Sequence, residues 1–290
     1  MTYRCLAAVL TLLAVTGLAV QAQPYERVVQ DTVDGVPDRL AIDNEDGRVE
    51  VTTWARDSVA FKARIVSTND PKPVEQTQID VDRTGPAMSL ATNYENVEPR
   101  WSWGPSIYGY GTTTPRVLYT VTVPRSTALA IEDQNSDIEV SGLEARLRID
   151  TEEGRTAVSD QVGSVQVDTQ EGTVILQTIE GDAIVDAEEG DLRMEGLSGS
   201  IDLETREGDA SVQFAMFDGG AIDTEEGSVT IVLPPDQGAD LSTDLGDEAT
   251  FNSPMDLSGI RGDGGDYNGA IRGGGPLLQI ESEEGSITLR

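Results

Sequence analysis

Histidine is absent from this chain, and cysteine occurs once, as Cys5. Without histidine there is no Ser-His-Asp triad, no imidazole general base and no imidazole metal ligand. A lone cysteine at the N-terminus offers no disulfide, no zinc cluster and no thiol nucleophile in the mature chain. Lysine occurs twice, as Lys62 and Lys72, and all basic residues total 20 against 52 acidic ones. The resulting formal charge of −32 argues against binding DNA or RNA through phosphates, and against docking on anionic lipid. Aromatic residues make up 5% and apolar residues 38%, a thin supply for a globular enzyme of 290 residues. Glycine is plentiful, at 30 residues. Such a mixture suits many short strands joined by tight turns.

Long apolar runs are also missing after residue 20. Before it, Arg4 is followed by the apolar run Leu6–Val20 and then by Val20-Gln21-Ala22. This is a positive n-region, an apolar h-region and a small-residue cleavage site. The run is shorter than the about 20 residues that a spanning helix needs. Residues 1–22 therefore read as an export signal cleaved after Ala22. Cys5 precedes the apolar run, whereas a lipoprotein cysteine follows it, so no lipid anchor is expected. The mature chain is expected to be exported to the periplasm, the cell surface or the medium, with no transmembrane segment.

What organises the rest is a repeat. The pattern is apolar, any, apolar, acid, three turn residues, glycine, any, apolar, any, apolar. Copies are LAIDNEDGRVEV (40–51), LAIEDQNSDIEV (129–140), LRIDTEEGRTAV (147–158), VQVDTQEGTVIL (165–176), AIVDAEEGDLRM (183–194), IDLETREGDASV (201–212), GAIDTEEGSVTI (220–231) and LQIESEEGSITL (278–289). From 129 to 231 they are contiguous. Their turn residues are Ser136, Gly154, Gly172, Gly190, Gly208 and Gly227, spaced by 18, 18, 18, 18 and 19. On either side of the glycine apolar and polar residues alternate, the period of a half-buried strand. The third and twelfth columns are apolar in every copy. One unit cannot bury its own inward face, whereas stacked units bury a continuous core.

The expectation is an all-β chain: a β-solenoid, β-helix-like, with 18-residue coils that each add about 4.8 Å of height. An antiparallel sandwich is the alternative, but it leaves the fixed period unexplained. Residues 23–128 read as an N-terminal β region that includes the first repeat and caps the stack, since strand edges at solenoid ends need covering. Within it Val59, Phe61, Ala63 and Ile65 share one face. Segments 77–82 and 88–91 flank the Gly85-Pro86 turn as a hairpin. Residues 129–233 hold the tandem repeats. Residues 234–290 read as C-terminal coils, with a glycine-rich loop or ragged coil at 259–275 and a last repeat that closes the far end.

Four features together resemble the bacterial putative-adhesin family, exported repeat domains of unknown function. They are the tandem acid-x-x-x-Gly units, VLYTVTVP (117–124), VTIVLP (229–234) and the ending GGGPLLQIESEEGSITLR (273–290). The resemblance covers residues 40–290. It implies a β-solenoid in the periplasm or on the cell surface. It carries no catalytic residues over, because the family has no defined catalytic site. The chain departs from the family pattern in its more acidic turns and in Ser136, which stands where a turn glycine is expected.

Stacking places carboxylates in columns. The fourth position includes Asp150, Asp168 and Asp186, and the seventh includes Glu153, Glu171 and Glu189. Like charges about 4.8 Å apart repel by about 0.9 kcal/mol even in water. One reading makes these acids solvated turn residues, some serving as Asx-turns. A second makes them Ca²⁺ ligands between coils, although the known calcium repeat with glycine pairs is absent. A third is adaptation to high salt, where screening is strong. No other cofactor is expected. Trp101, Trp103, Tyr108 and Tyr110 form an aromatic loop, either a contact patch for a cell-envelope glycan or protein or a cap packed on the solenoid. Three functions are compatible with these residues. The first is a non-catalytic, adhesin-like binding or structural protein. The second is a carbohydrate-active enzyme on a β-helix, with paired carboxylates as acid and base. The third is an envelope-stress or assembly factor acting through a protein partner.

Overall fold

The computed structural model describes residues 24–68, 70–97, 114–255, 257–261 and 267–290. The segment read as an export signal lies outside them. The chain is nearly all β, arranged as a solenoid-like stack. Its N-terminal region comprises β1 (Tyr25–Asp34), β2 (Arg39–Asp43), β3 (Asp46–Trp54), β4 (Ser58–Ser67), the short helix α1 (Pro71–Gln76), β5 (Gln78–Thr84), β6 (Ala87–Asn93) and β7 (Arg116–Pro124). The helix has no counterpart in the sequence pattern. Asp70 caps it by accepting from the Lys72 amide, and Pro71 occupies its first turn. Thr77 ends it with a hydroxyl bond to the Pro73 carbonyl at 2.8 Å.

The central strands are β8 (Ala128–Ser141), β9 (Leu147–Glu153), β10 (Arg155–Val162), β11 (Val165–Glu180), β12 (Ala183–Glu207), β13 (Ala210–Thr224) and β14 (Ser228–Val232). They pair in parallel with like residues opposite. Val165 faces Leu147 on one side and Ala183 on the other, and Val167 faces Ile149 and Val185. The inward column is therefore a stack of buried aliphatics, among them Ile131, Ile149, Val167, Val185 and Leu203. The longer spacing before Gly227 is absorbed locally: the β12–β13 register shifts between Glu195 and Ile201, then runs evenly from Ile201 opposite Gly220, with Leu203 opposite Ile222.

Both ends are interleaved. At the first end the repeat 40–51 pairs with β8 on one side, Leu40 on Leu129 and Val51 on Val140. On its other side lie β6 and β7, also parallel. Beyond them β5 and, through β4, β1 complete the cover with antiparallel pairs. The hairpin expected around Gly85-Pro86 is β5–β6, and Val59, Phe61, Ala63 and Ile65 are all buried as one face of β4.

The far end adds β15 (Ala239–Asn252), β16 (Leu257–Arg261), β17 (Tyr267–Ile271) and β18 (Leu277–Leu289). Two expectations change here. The last repeat does not close the stack. It inserts between the 220–231 repeat and β15, with Ile280 facing Ile222 on one side and Thr243 on the other. The reason is complementarity: the 278–289 copy carries the full inward pattern and fits between two like layers. Also, the glycine-rich segment 259–275 is not wholly loop, since β16 and β17 pair antiparallel within it. Gly259 lies opposite Gly269 there, and the absence of side chains lets the two backbones approach.

Candidate binding face

The fourth repeat position points outward because it follows the inward third position by one residue. Parallel register then lines its acids up across the stack. Asp43 faces Glu132, Glu132 faces Asp150, Asp150 faces Asp168 and Asp168 faces Asp186. Farther on, Glu204 faces Asp223, and Glu281 lies between Asp223 and Asp244. The seventh-position column is also in register: Asn135 faces Glu153 and Glu171 faces Glu189. Of the six acids singled out from the sequence, Asp150, Asp168 and Asp186 form one continuous ladder, Glu171 and Glu189 pair in a second column, and Glu153 faces Asn135. Among the described residues no group of three or more Asp or Glu side chains is placed to hold a metal ion.

Arginines interrupt the repulsion. Arg148 reaches Asp168 at 2.9 Å and Asp150 at 3.5 Å. Arg206 sits 3.5 Å from Glu188 and 3.6 Å from Glu225. Partial burial raises the Asp168 carboxyl above its ordinary value; Arg148 opposes the rise, and Asp150 and Asp186 add to it. Burial, and then Glu132, raise Asp43 likewise. Near the far end Asp223, Asp244, Asp247, Glu248, Glu281 and Glu284 line an open acidic cleft. The face is thus a rigid, ruled array of carboxylates on strands, not on loops. Trp101, Trp103, Tyr108 and Tyr110 lie outside the described residues.

The fifth repeat position escapes a reading of the sequence. It is inward, and apart from Ala187 its residues are polar yet buried, among them Thr151, Thr169, Thr205, Thr224 and Ser282. The hydroxyl donates to the carbonyl two residues on, as Thr151 does to Glu153 at 3.2 Å and Ser282 to Glu284 at 3.2 Å. The available signal is the threonine column itself, two residues beyond an inward aliphatic. In the first two layers this position is Asn44 and Asp133, both buried. Asn44 Nδ2 donates to Asp133 Oδ2 and to Ser136 Oγ, each at 3.1 Å. Its Oδ1 accepts from Thr92 at 2.9 Å, and the Thr92 hydroxyl bonds that of Tyr119 at 2.9 Å. Burial pushes the Asp133 carboxyl up to about 6, against the pull of hydrogen bonds from the Ser136 and Asn44 side chains and the Asn135 backbone. Burial also raises the Tyr119 and Tyr94 phenols.

A family model, Toastrack DUF4097, matches residues 37–290. The chain belongs to that family. The Toastrack match spans the segment on which the adhesin resemblance rested, and that resemblance holds. A putative adhesin from Bacteroides fragilis is similar at 11% identity, covering 91% of this chain and 97% of its own, with a TM-score of 0.53. This likeness shows the shared fold. A putative lipid binding protein from Parabacteroides distasonis is 10% identical over 91% of this chain and 97% of its own, with a TM-score of 0.39. A putative cell adhesion protein from Clostridium sporogenes is 11% identical over 92% of this chain and 99% of its own, with a TM-score of 0.24. No curated protein matches the chain. Among the described residues no helix is long and apolar enough to cross a membrane.

Proposed function

We propose that this Toastrack protein is an exported, non-catalytic binding or structural module, adhesin-like in role, built of 18-residue coils. The observation that carries the reading is the in-register ladder of outward carboxylates Asp150, Asp168 and Asp186 on paired strands. Paired strands fix the backbone spacing of the acids, so a partner with regularly spaced donors or cations meets a matching surface at a reduced ordering cost. Complementary charge then sets the encounter rate and selects against anionic partners. The partner class is a cell-envelope glycan or protein, encountered in the periplasm or at the cell surface. The name of the Bacteroides fragilis protein, a putative adhesin, is consistent with this role.

The test is binding of immobilised residues 23–290 to a glycan array and to fractionated envelope extract at several salt concentrations. The comparison variant carries Asp150→Asn, Asp168→Asn and Asp186→Asn. Saturable binding that weakens with salt and drops at least about tenfold in the variant is expected. Equal binding by both proteins would remove the ladder from the recognition surface. Absence of binding to either source would leave a structural role and end the adhesin-like reading.

A further inference from the structure

Three departures from the repeat meet at one point in space. The fifth position is Asn44 and Asp133 in the first two layers, against Thr, Ser or Ala in the other copies. The eighth is Ser136 in the second layer, against glycine elsewhere. These three side chains bond one another, and through Thr92 and Tyr119 they reach β6 and β7 of the cap. Asp133 is 6% exposed, and its Oδ1 is buried without a hydrogen-bond partner. A neutral carboxyl tolerates a bare carbonyl oxygen at modest cost. A carboxylate there leaves a buried charge half-satisfied, which costs far more.

The surroundings do not supply the missing cation. From β2 and the turn after it come Asp43 and Glu45, and from β3 come Asp46 and Arg48. The segment after β6 brings Tyr94 and Glu95, and β7 brings Arg116 and Tyr119. On β8 itself stand Glu132, Asp137 and Glu139, and on the next layer Asp150, Glu152 and Glu153. Arg116 is committed to Asp46 at 3.2 Å and Arg48 to Glu139 at 2.7 Å. Arg155, at the start of β10, also lies toward Glu139, at 3.9 Å.

We propose that the Asn44–Asp133–Ser136 cluster is a proton-operated latch between the cap and the repeat stack. With Asp133 neutral, β6 and β7 are held on the first layers through Asn44, Thr92 and Tyr119. Ionisation of Asp133 loosens that hold. The raised carboxyl, at about 6 against an ordinary 3.8, sets the direction. A group raised in the closed state favours closure fully at low pH. It loses that contribution as pH climbs from about 4 through about 6, and the loss then levels off. A carboxyl held about two pH units above its ordinary value raises the opening equilibrium by up to about 100-fold once it ionises.

Hydrogen–deuterium exchange on residues 23–290 tests the latch at fixed ionic strength between pH 4.5 and 7.5, corrected for intrinsic rates. Wild type is compared with Asp133→Asn and with Asp133→Thr, the repeat's own residue at this position. Protection of β6 and β7, relative to β11 and β12, is expected to fall between tenfold and 100-fold in wild type and to stay level in both variants. Should one variant fail to fold, the other supplies the comparison. The latch is overturned if wild type shows no relative fall, or if the variants fall equally. It is also overturned if millimolar calcium restores wild-type protection at pH 7.5, because Oδ1 would then hold a cation.

Discussion

Gly190 has a φ of 127°, and its Cα faces the carbonyl oxygen of Gly172 in the layer beneath. A methyl group added there would overlap that oxygen, and it can be relieved only by parting two layers. Gly190→Ala is expected to cost at least about 3 kcal/mol in chemical denaturation, since a backbone clash adds to left-handed strain. Gly85, with a φ of 63°, has nothing within 4 Å of an added Cβ. Gly85→Ala should cost about 1 kcal/mol, the conformational term alone. Equal losses at the two sites would show that φ, not layer contact, governs the column. Arg148 is a second residue-scale case. Its side chain is half exposed while it spans Asp150 and Asp168, so Arg148→Ala should cost about 0.5–1 kcal/mol at low salt and nothing at 1 M NaCl. The glycine and acid columns were legible because each recurs at one position in nearly every copy. The fifth column was not, because a polar residue in an alternating strand reads as outward. Thr224 is fully buried only because its hydroxyl finds the Glu226 carbonyl at 3.3 Å.

Strands were legible wherever one face is buried, as in β4 and β7, because alternation is a local signal. The order of layers was not. Ile131 pairs with Ile42 and Ile280 with Ile222 across intervening segments that form other strands, and nothing local announces such a partner. Helix α1 escapes notice because its six residues are too few to show a helical period. The interleaving has a consequence for truncation. β18 contributes hydrogen bonds to β13 and β14 on one side and to β15 on the other. Deleting residues 278–290 should therefore unfold 239–271 as a unit while β8–β12 persist. Limited proteolysis is expected to cut first between 234 and 271 in the truncated chain. If that region stays protected, β15 must hold to β14 directly, and the interleaved order is dispensable.

At the scale of the molecule the acids act together. With a formal charge of −32 and carboxylates in register, self-repulsion opposes the compact state, and salt reduces it as the Debye length falls to about 3 Å at 1 M. The melting temperature should rise by about 5 °C or more from 0.1 to 3 M NaCl. A flat curve would mean that the arginine bridges already offset the ladders. At matched ionic strength CaCl₂ should give the same value as NaCl, and an excess shift with calcium would identify bridged carboxylates. The far-end arrangement bears on how the molecule carries tension. The backbone of Arg290 donates to the Ile231 carbonyl at 2.8 Å and accepts from Leu233 at 2.9 Å, and its strand is flanked on both sides. A pull at residue 290 along the strand loads two ladders in shear, so many bonds must rupture at once. An outermost strand pulled the same way would load a single ladder and give way at a lower force. The protein is built at this end like a tongue in a groove, and a tether attached there would stretch before it unzipped.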